Sequence, residues 1–191
     1  MSTSSIIQST ISDHEETVKK FRSECAATIE KMADATVKAL KNGNKICFFG
    51  NGGSAADSQH FAAEFVVRFT RNRDSLPSIA FTTDTSIITA CANDFGYDEI
   101  FARQVRGLCN RGDIVVGIST SGTSKNVVKG LEAARDTGVT TFAFTGDKGG
   151  VCAEIADLAL CVPSPVTARI QECHLIAGHL ICDIGEAAFT V

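Results

Sequence analysis

The chain lacks most of what would mark a membrane-spanning, secreted or nucleic-acid-binding protein. In its 191 residues no apolar run approaches the ~18 residues of a membrane-spanning helix. The opening Met1-Ser2-Thr3-Ser4-Ser5 has neither the basic nor the apolar region of a secretory signal, so a cytoplasmic protein is expected. Basic charge is in deficit: 18 Lys and Arg face 22 Asp and Glu, a formal net charge of −4, which offers nucleic acid no global field. None of the eight cysteines forms a CxxC pair and several lie in apolar runs, which suits buried thiols better than a disulfide framework or a metal cluster. A G-x-x-x-x-G-K-[ST] phosphate loop is also missing, which argues against a P-loop nucleotidase. Finally, no glycine or proline occurs from residue 5 to residue 41.

That last absence predicts a helix. Ile6, Ile7, Ile11, Val18, Phe21, Cys25, Ile29, Met32, Val37 and Leu40 recur at helical steps, and Gly43 is placed to stop them. A helix of ~35 residues overhangs a domain this small, so it either bends or packs on another subunit. The length suits one domain. Residues 1–43 are expected to be an oligomerisation segment and 44–191 the core.

After residue 44 short apolar runs alternate with helical patterns. KICFF (45–49), PSIAF (77–81), DIVVGI (113–118), TTFAF (140–144) and 158–162 read as strands. Helices are expected near 54–68, 86–107, 124–137 and 149–155, with a last one over 167–191 after Pro163 and Pro165. Strands apolar on both faces and alternating with helices imply an α/β three-layer sandwich, a five-stranded parallel sheet flanked by helices. Ligands in such sheets bind beyond the carboxyl ends of the strands.

Two turns at those ends are rich in chemistry. Gly50-Asn51-Gly52-Gly53-Ser54-Ala55 fits the dinucleotide pattern GxGxxA, but an acidic residue is expected about 20 positions on, and Asp84 lies 34 beyond Gly50. Ser119-Thr120-Ser121-Gly122-Thr123-Ser124 offers four hydroxyls besides that of Thr123 ahead of a helix start, suited to a phosphate monoester or simply to one N-cap at Ser124. His60 and Glu64 share a helix face at i,i+4, as a metal pair, a base with its neighbour, or a solvated surface pair. Gln171, His174 and His179 lie on one predicted helix among Ile170, Leu175, Ile176, Leu180 and Ile181, as core or catalytic groups.

FFGNGGSAADSQHFAAEF, ANDFGYDEIF, GISTSGTSKNVV and TARIQECHLIAGHL together resemble the phosphoheptose isomerases, sedoheptulose 7-phosphate isomerases of the sugar isomerase (SIS) fold, over nearly all of residues 44–184. The resemblance implies a homotetramer with active sites at subunit boundaries, while the acidic balance and the lack of a membrane-length apolar run leave no expectation of nucleic acid or membrane as partner. It implies substrate contacts from Asn51, Gly52, Gly53, Ser54, Asn93, Asp94, Ser119, Thr120, Ser121, Ser124 and Gln171, with Glu64 and His179 as the catalytic acid/base pair. In zinc-containing members the ligands would be His60, Glu64, Gln171 and His179, two N and two O donors. Phe65-Val66-Val67 and Thr123 depart from the family pattern without removing a catalytic position. The rival is a non-catalytic regulator of the same fold, resembling the DNA replication initiator-associating protein, in which the carboxylate and histidine are absent. Because Gln171 and His179 are eight apart, ~12 Å along a helix, Gln171 is expected near or before the helix start, or the ligands come from two copies.

Overall fold

The computed structural model describes residues 2–190. The N-terminal helix α1, Thr3–Lys41, is unbroken, capped by the Ser2 side chain accepting from the Ser5 N–H at 3.2 Å. It ends at Asn42 and Gly43, whose φ of +79° suits only glycine without strain. Its 39 residues extend ~58 Å at 1.5 Å per residue. Burial begins at Thr17 and continues through Phe21, Cys25, Ile29, Met32, Ala33, Thr36, Ala39 and Leu40. Ile6, Ile7 and Ile11, in the turns before that stretch, are about half exposed, and contact with the body begins at Thr10, whose carbonyl accepts from Arg169 Nη1 at 2.8 Å. The helix expected here is present as one continuous element.

Five parallel strands follow: β1 Ile46–Gly50, β2 Ser78–Ala80, β3 Ile114–Ile118, β4 Thr140–Thr145 and β5 Leu158–Cys161, in the order β2-β1-β3-β4-β5. The connecting helices are α2 Gly53–Val66, α3 Thr85–Phe95, α4 Ile100–Leu108, α5 Lys125–Asp136, α6 Gly150–Ile155 and α7 Thr167–Ala187. The helix expected over 86–107 is divided. At Gly96, φ +93° and ψ 156° interrupt it, and a 3-10 turn Tyr97–Glu99 separates α3 from α4. Of the expected last helix, 188–190 lie beyond α7 and Val191 is outside the described residues.

Alternate strand residues feed two cores. Ile46, Phe48, Ile114, Val116, Ile118, Phe142 and Phe144 pack with α1, α2 and α7. Cys47, Phe49, Val115 and Ala143 pack with α3 to α6. Each large side chain removed from water contributes roughly 1.5–3 kcal/mol, so burial on both faces holds the strands in this register. All eight cysteines are free and seven are buried, as the apolar context predicts.

The chain leaves β1 for β2 on one side and later enters β3 on the other, so the switch point lies between β1 and β3. Gly50 pairs with Ile118 there. A Cβ on Gly50 would sit 2.8 Å from the Ile118 carbonyl oxygen and 2.7 Å from Ser54 Cβ. Glycine at this position lets the two strand ends meet, and the two turns noted in the sequence leave from the same crevice.

Candidate active site

At the first turn Gly52 takes φ +56° and ψ −120° as N-cap of α2. Gly53 lies against the Gln171 amide, in space a Cβ would fill. Ser54 is buried beneath Gly50, so it supports the turn from below. Asn51 is held from two sides. Its amide exchanges hydrogen bonds with that of Asn126, both 2.8 Å, and the Tyr97 hydroxyl donates to Asn51 Oδ1 at 3.1 Å. Asn93 and Asp94, exposed near the end of α3, bond to each other at 2.8 Å, Asn93 Nδ2 donating.

At the second turn three hydroxyls gather. Ser119 Oγ lies 2.9 Å from Ser124 Oγ and 3.4 Å from Ser121 Oγ. Ser121 Oγ accepts the Thr123 N–H at 3.2 Å. Ser124 occupies the N-cap of α5 but makes no side-chain cap bond; its hydroxyl joins the cluster instead. The first N–H groups of α5 have no intrahelical acceptor and, with the helix dipole, favour an anion beside these hydroxyls. The Thr120 carbonyl accepts the Gly146 N–H at 3.1 Å, tying the loop to the end of β4.

The third group comes from α2 and α7, which run side by side in parallel. A Cβ at Gly178 would strike the Phe61 ring, and one at Gly185 would sit 3.1 Å from Phe65 Cε1. Missing side chains at those two positions let α7 close on α2. His60 Nε2 then stands 2.8 Å from His179 Nε2 and 3.7 Å from Glu64 Oε1. Phe69 stacks on the other face of His179, with centroids 5.2 Å apart. Burial lowers the His179 pKa, the His60 charge lowers it further, and Glu64 opposes both. The ring is therefore biased to the neutral form, able to accept a proton.

Three of the four metal donors named from sequence meet here. Gln171, the fifth residue of α7, is within the helix close to its start, eight residues before His179, and its amide packs on Gly53. Among the described residues no three His, Cys, Asp or Glu side chains are arranged as a formed metal site. The donor chemistry nevertheless suits zinc: two imidazole nitrogens and a carboxylate oxygen. At 2.8 Å the rings are within hydrogen-bonding distance, closer than the about 3.3 Å between two nitrogens on a tetrahedral zinc. His174, the other histidine on α7, is a core residue, fully buried with Nε2 3.1 Å from the Thr145 carbonyl oxygen.

Sequence reasoning missed Asn126, Tyr97 and Phe69. The first two lie inside the quoted segments GISTSGTSKNVV and ANDFGYDEIF, and Tyr97 is the only tyrosine of the chain. Phe69 gave no signal, because its partner His179 is 110 residues away.

Serine hydroxyls before a helix, a glycine turn across a parallel-sheet switch point and an imidazole–carboxylate group suit an anionic ligand beside an acid/base centre, and the family model described as SIS domain matches residues 11–146. The chain is 55% identical over 161 residues to a phosphoheptose isomerase of Aquifex aeolicus, covering 84% of each chain. It also superposes on solved phosphoheptose isomerases of Neisseria gonorrhoeae (TM-score 0.92, 38% identity, 97% of this chain and 100% of that one) and Francisella tularensis (0.95, 36%, 98% and 100%). It belongs to the phosphoheptose isomerase family of SIS-domain proteins.

Proposed function

We propose that the chain interconverts D-sedoheptulose 7-phosphate and D-glycero-D-manno-heptose 7-phosphate, an intramolecular oxidoreduction opening ADP- or GDP-heptose biosynthesis. The observation that carries this reading is the meeting of Glu64 and His60 on α2 with His179 on α7. A non-catalytic regulator of this fold has no use for that group.

The reaction moves a carbonyl between C2 and C1 through a cis-enediol. One group must take the proton from the carbon beside the carbonyl, and another must pass protons between the two oxygens. Glu64, with its side chain one-fifth exposed, serves as base toward carbon. His179, held neutral by burial, serves the oxygens, and the two assignments can be exchanged. His60 faces His179 nitrogen to nitrogen, so it orients the ring and shares its proton. The Ser119, Ser121 and Ser124 hydroxyls and the start of α5 hold the phosphate, with Thr120 in the same loop. Asn51, Gly52, Gly53 and Gln171 line the sugar near the first turn, and Asn93 and Asp94 offer polar groups to its hydroxyls.

Zinc belongs to the same proposal, held by His60, Glu64 and His179. When bound it supplies a Lewis acid that polarises the carbonyl. A residue that holds the ion tightly cannot at once be a free base, so in a zinc-loaded site Glu64 or His179 takes the carbon proton only by exchanging off the ion.

A homotetramer with sites at subunit boundaries is supported by what surrounds the histidines. Leu180 and Ile184 beside His179 on α7 are about 40% exposed. They continue into an apolar groove with Val18, Phe21, Ile29 and Ile176 between α1 and α7. Among the described residues no helix is long and apolar enough to cross a membrane. A cytoplasmic location is also proposed, since ionised heptose phosphates do not cross membranes unaided. The test is incubation with sedoheptulose 7-phosphate, with and without a chelator, following aldose formation by NMR. No product under either condition would sink the enzyme reading in favour of the regulator.

A further inference from the structure

One carboxylate gathers three successive main-chain N–H groups of the irregular segment between α2 and β2, while Asp183 pairs with the Arg71 side chain. Glu186, in the last turn of α7, is fully buried. Its Oε2 accepts the Phe69 N–H at 2.8 Å. Its Oε1 accepts the N–H groups of Thr70 and Arg71 at 2.7 and 2.5 Å and the Thr70 hydroxyl at 3.1 Å. Arg73 Nε, on a side chain that is 1% exposed, lies 3.5 Å from Oε2. Three successive main-chain donors around a carboxylate form an anion nest, here built around a group of the protein itself. Burial pushes the Glu186 pKa up, but the bonds from the loop outweigh it and hold the group at about 2.

The loop so wrapped touches the candidate site twice. Phe69 stacks on His179 with an interplanar angle of 25°. Arg73 Nη2 donates to the Glu64 carbonyl at 2.7 Å. Glu186 lies seven residues beyond His179, two turns along the same side of α7. A buried charge is costly unless fully partnered. Here its partners are the N–H groups of a segment without regular hydrogen bonding, and that segment carries the ring on His179.

We propose that Glu186 is a positioning residue for the isomerisation: it anchors the loop after α2 so that Phe69 fixes the ring of His179 and Arg73 fixes the backbone at Glu64. The inference rests on the reading of Glu64 and His179 as the acid/base pair. The Ser-loop end of the site has no contact with this anchor, so substrate capture should survive its loss.

The chain has four histidines, few enough for ring signals of ¹³C-histidine-labelled protein to be assigned by substitution. In folded Glu186→Gln the His179 ring signal should move in the direction set by Phe69→Ala, with that of buried His174 unmoved. The kcat should fall roughly ten- to a hundredfold while KM for sedoheptulose 7-phosphate stays within about twofold. An unmoved His179 signal, a wild-type kcat, or a raised KM at constant kcat would each overturn the proposal. Should Glu186→Gln not fold, Phe69→Ala decides, because it leaves the carboxylate its three N–H donors: loss of kcat supports the role and wild-type kcat overturns it. Wild-type protein without turnover would overturn the reaction assigned above, not the anchoring of Phe69 by Glu186. The His179 signal identifies that failure as one of the reaction assignment, because it reports the anchoring in the absence of turnover.

Discussion

Asn51 in the glycine turn and Asn126 in the first turn of α5 join their side-chain amides in a reciprocal pair of 2.8 Å hydrogen bonds. Asn126 is buried, at 3% exposure, and its amide lies at the start of α5, beside the hydroxyl cluster. The pair therefore ties the glycine turn to the start of α5, next to the hydroxyl cluster. Asn126→Leu removes both bonds and leaves the Asn51 amide short of partners, a cost of about 1–3 kcal/mol. Urea unfolding should register that loss, and kcat/KM should drop roughly tenfold as the turns lose their mutual register. Unchanged stability with unchanged kinetics would show that the pair is incidental.

Replacing Glu64 by Gln keeps the shape of the side chain and removes the base proposed above. Turnover should fall by about three orders of magnitude or more, while the melting temperature and the affinity for sedoheptulose 7-phosphate stay close to wild type. The Glu64 carbonyl, which holds Arg73, is untouched by the change. Near-normal turnover would refute the assignment.

The hydroxyl cluster makes a prediction of the opposite kind. Ser119→Ala and Ser124→Ala each remove a neutral donor from the phosphate end, where a bond to a charged group contributes about 1.5–3 kcal/mol. KM should rise roughly tenfold with kcat within a few-fold, and competition by inorganic phosphate should weaken in parallel. A fall confined to kcat would move these serines out of the phosphate site.

Much of this arrangement was legible in the sequence, and the limits of that legibility have physical causes. The strands were readable because residues such as Ile46 to Phe49 are apolar on both faces, and the turns because Gly52 and Ser119 sit where the apolar runs stop. The break at Gly96 was hidden, since a glycine within a helical pattern reads equally as tolerated until its φ of +93° is seen. The meeting of His60 with His179 was suggested by family resemblance alone. Spacing on two separate helices does not say that Gly178 and Gly185 let those helices close. The same holds for Glu186, whose acid in an apolar stretch gave no hint of the loop it wraps.

Zinc can be tested apart from turnover. Wild-type protein should bind about one Zn²⁺ per chain by metal analysis and gain thermal stability on loading, as any ligand of the folded state requires. His60→Ala should lose both effects, and Gln171→Ala should keep most of the affinity, because Gln171 packs on Gly53 at the other end of the group. Equal loss in the two variants would mean that Gln171 is drawn in as a ligand when the metal binds.

His174 sets how the fold responds to acid. Burial lowers its pKa to about 4 from an ordinary 6.5, against the opposing effect of its bond to the Thr145 carbonyl. With Nε2 donating to that carbonyl, Nδ1 is left buried without a partner, so a second proton is poorly accommodated. Below pH 6.5 the unfolded chain takes up a proton that the folded chain refuses until about pH 4. The stability present above pH 6.5 is therefore lost progressively between those values, on the order of 3 kcal/mol in all. Glu186, whose pKa is depressed from 4.5 to about 2, contributes stability that is lost only as pH falls through that lower range. The interval from pH 6.5 to 4.5 thus lies above the range in which Glu186 titrates. His174→Gln keeps a donor for Thr145 and titrates nowhere in this interval. Urea unfolding at pH 7.5 and pH 5 should show a steeper loss for wild type than for the variant. Parallel pH dependences would mean that His174 is protonated without penalty in the folded protein.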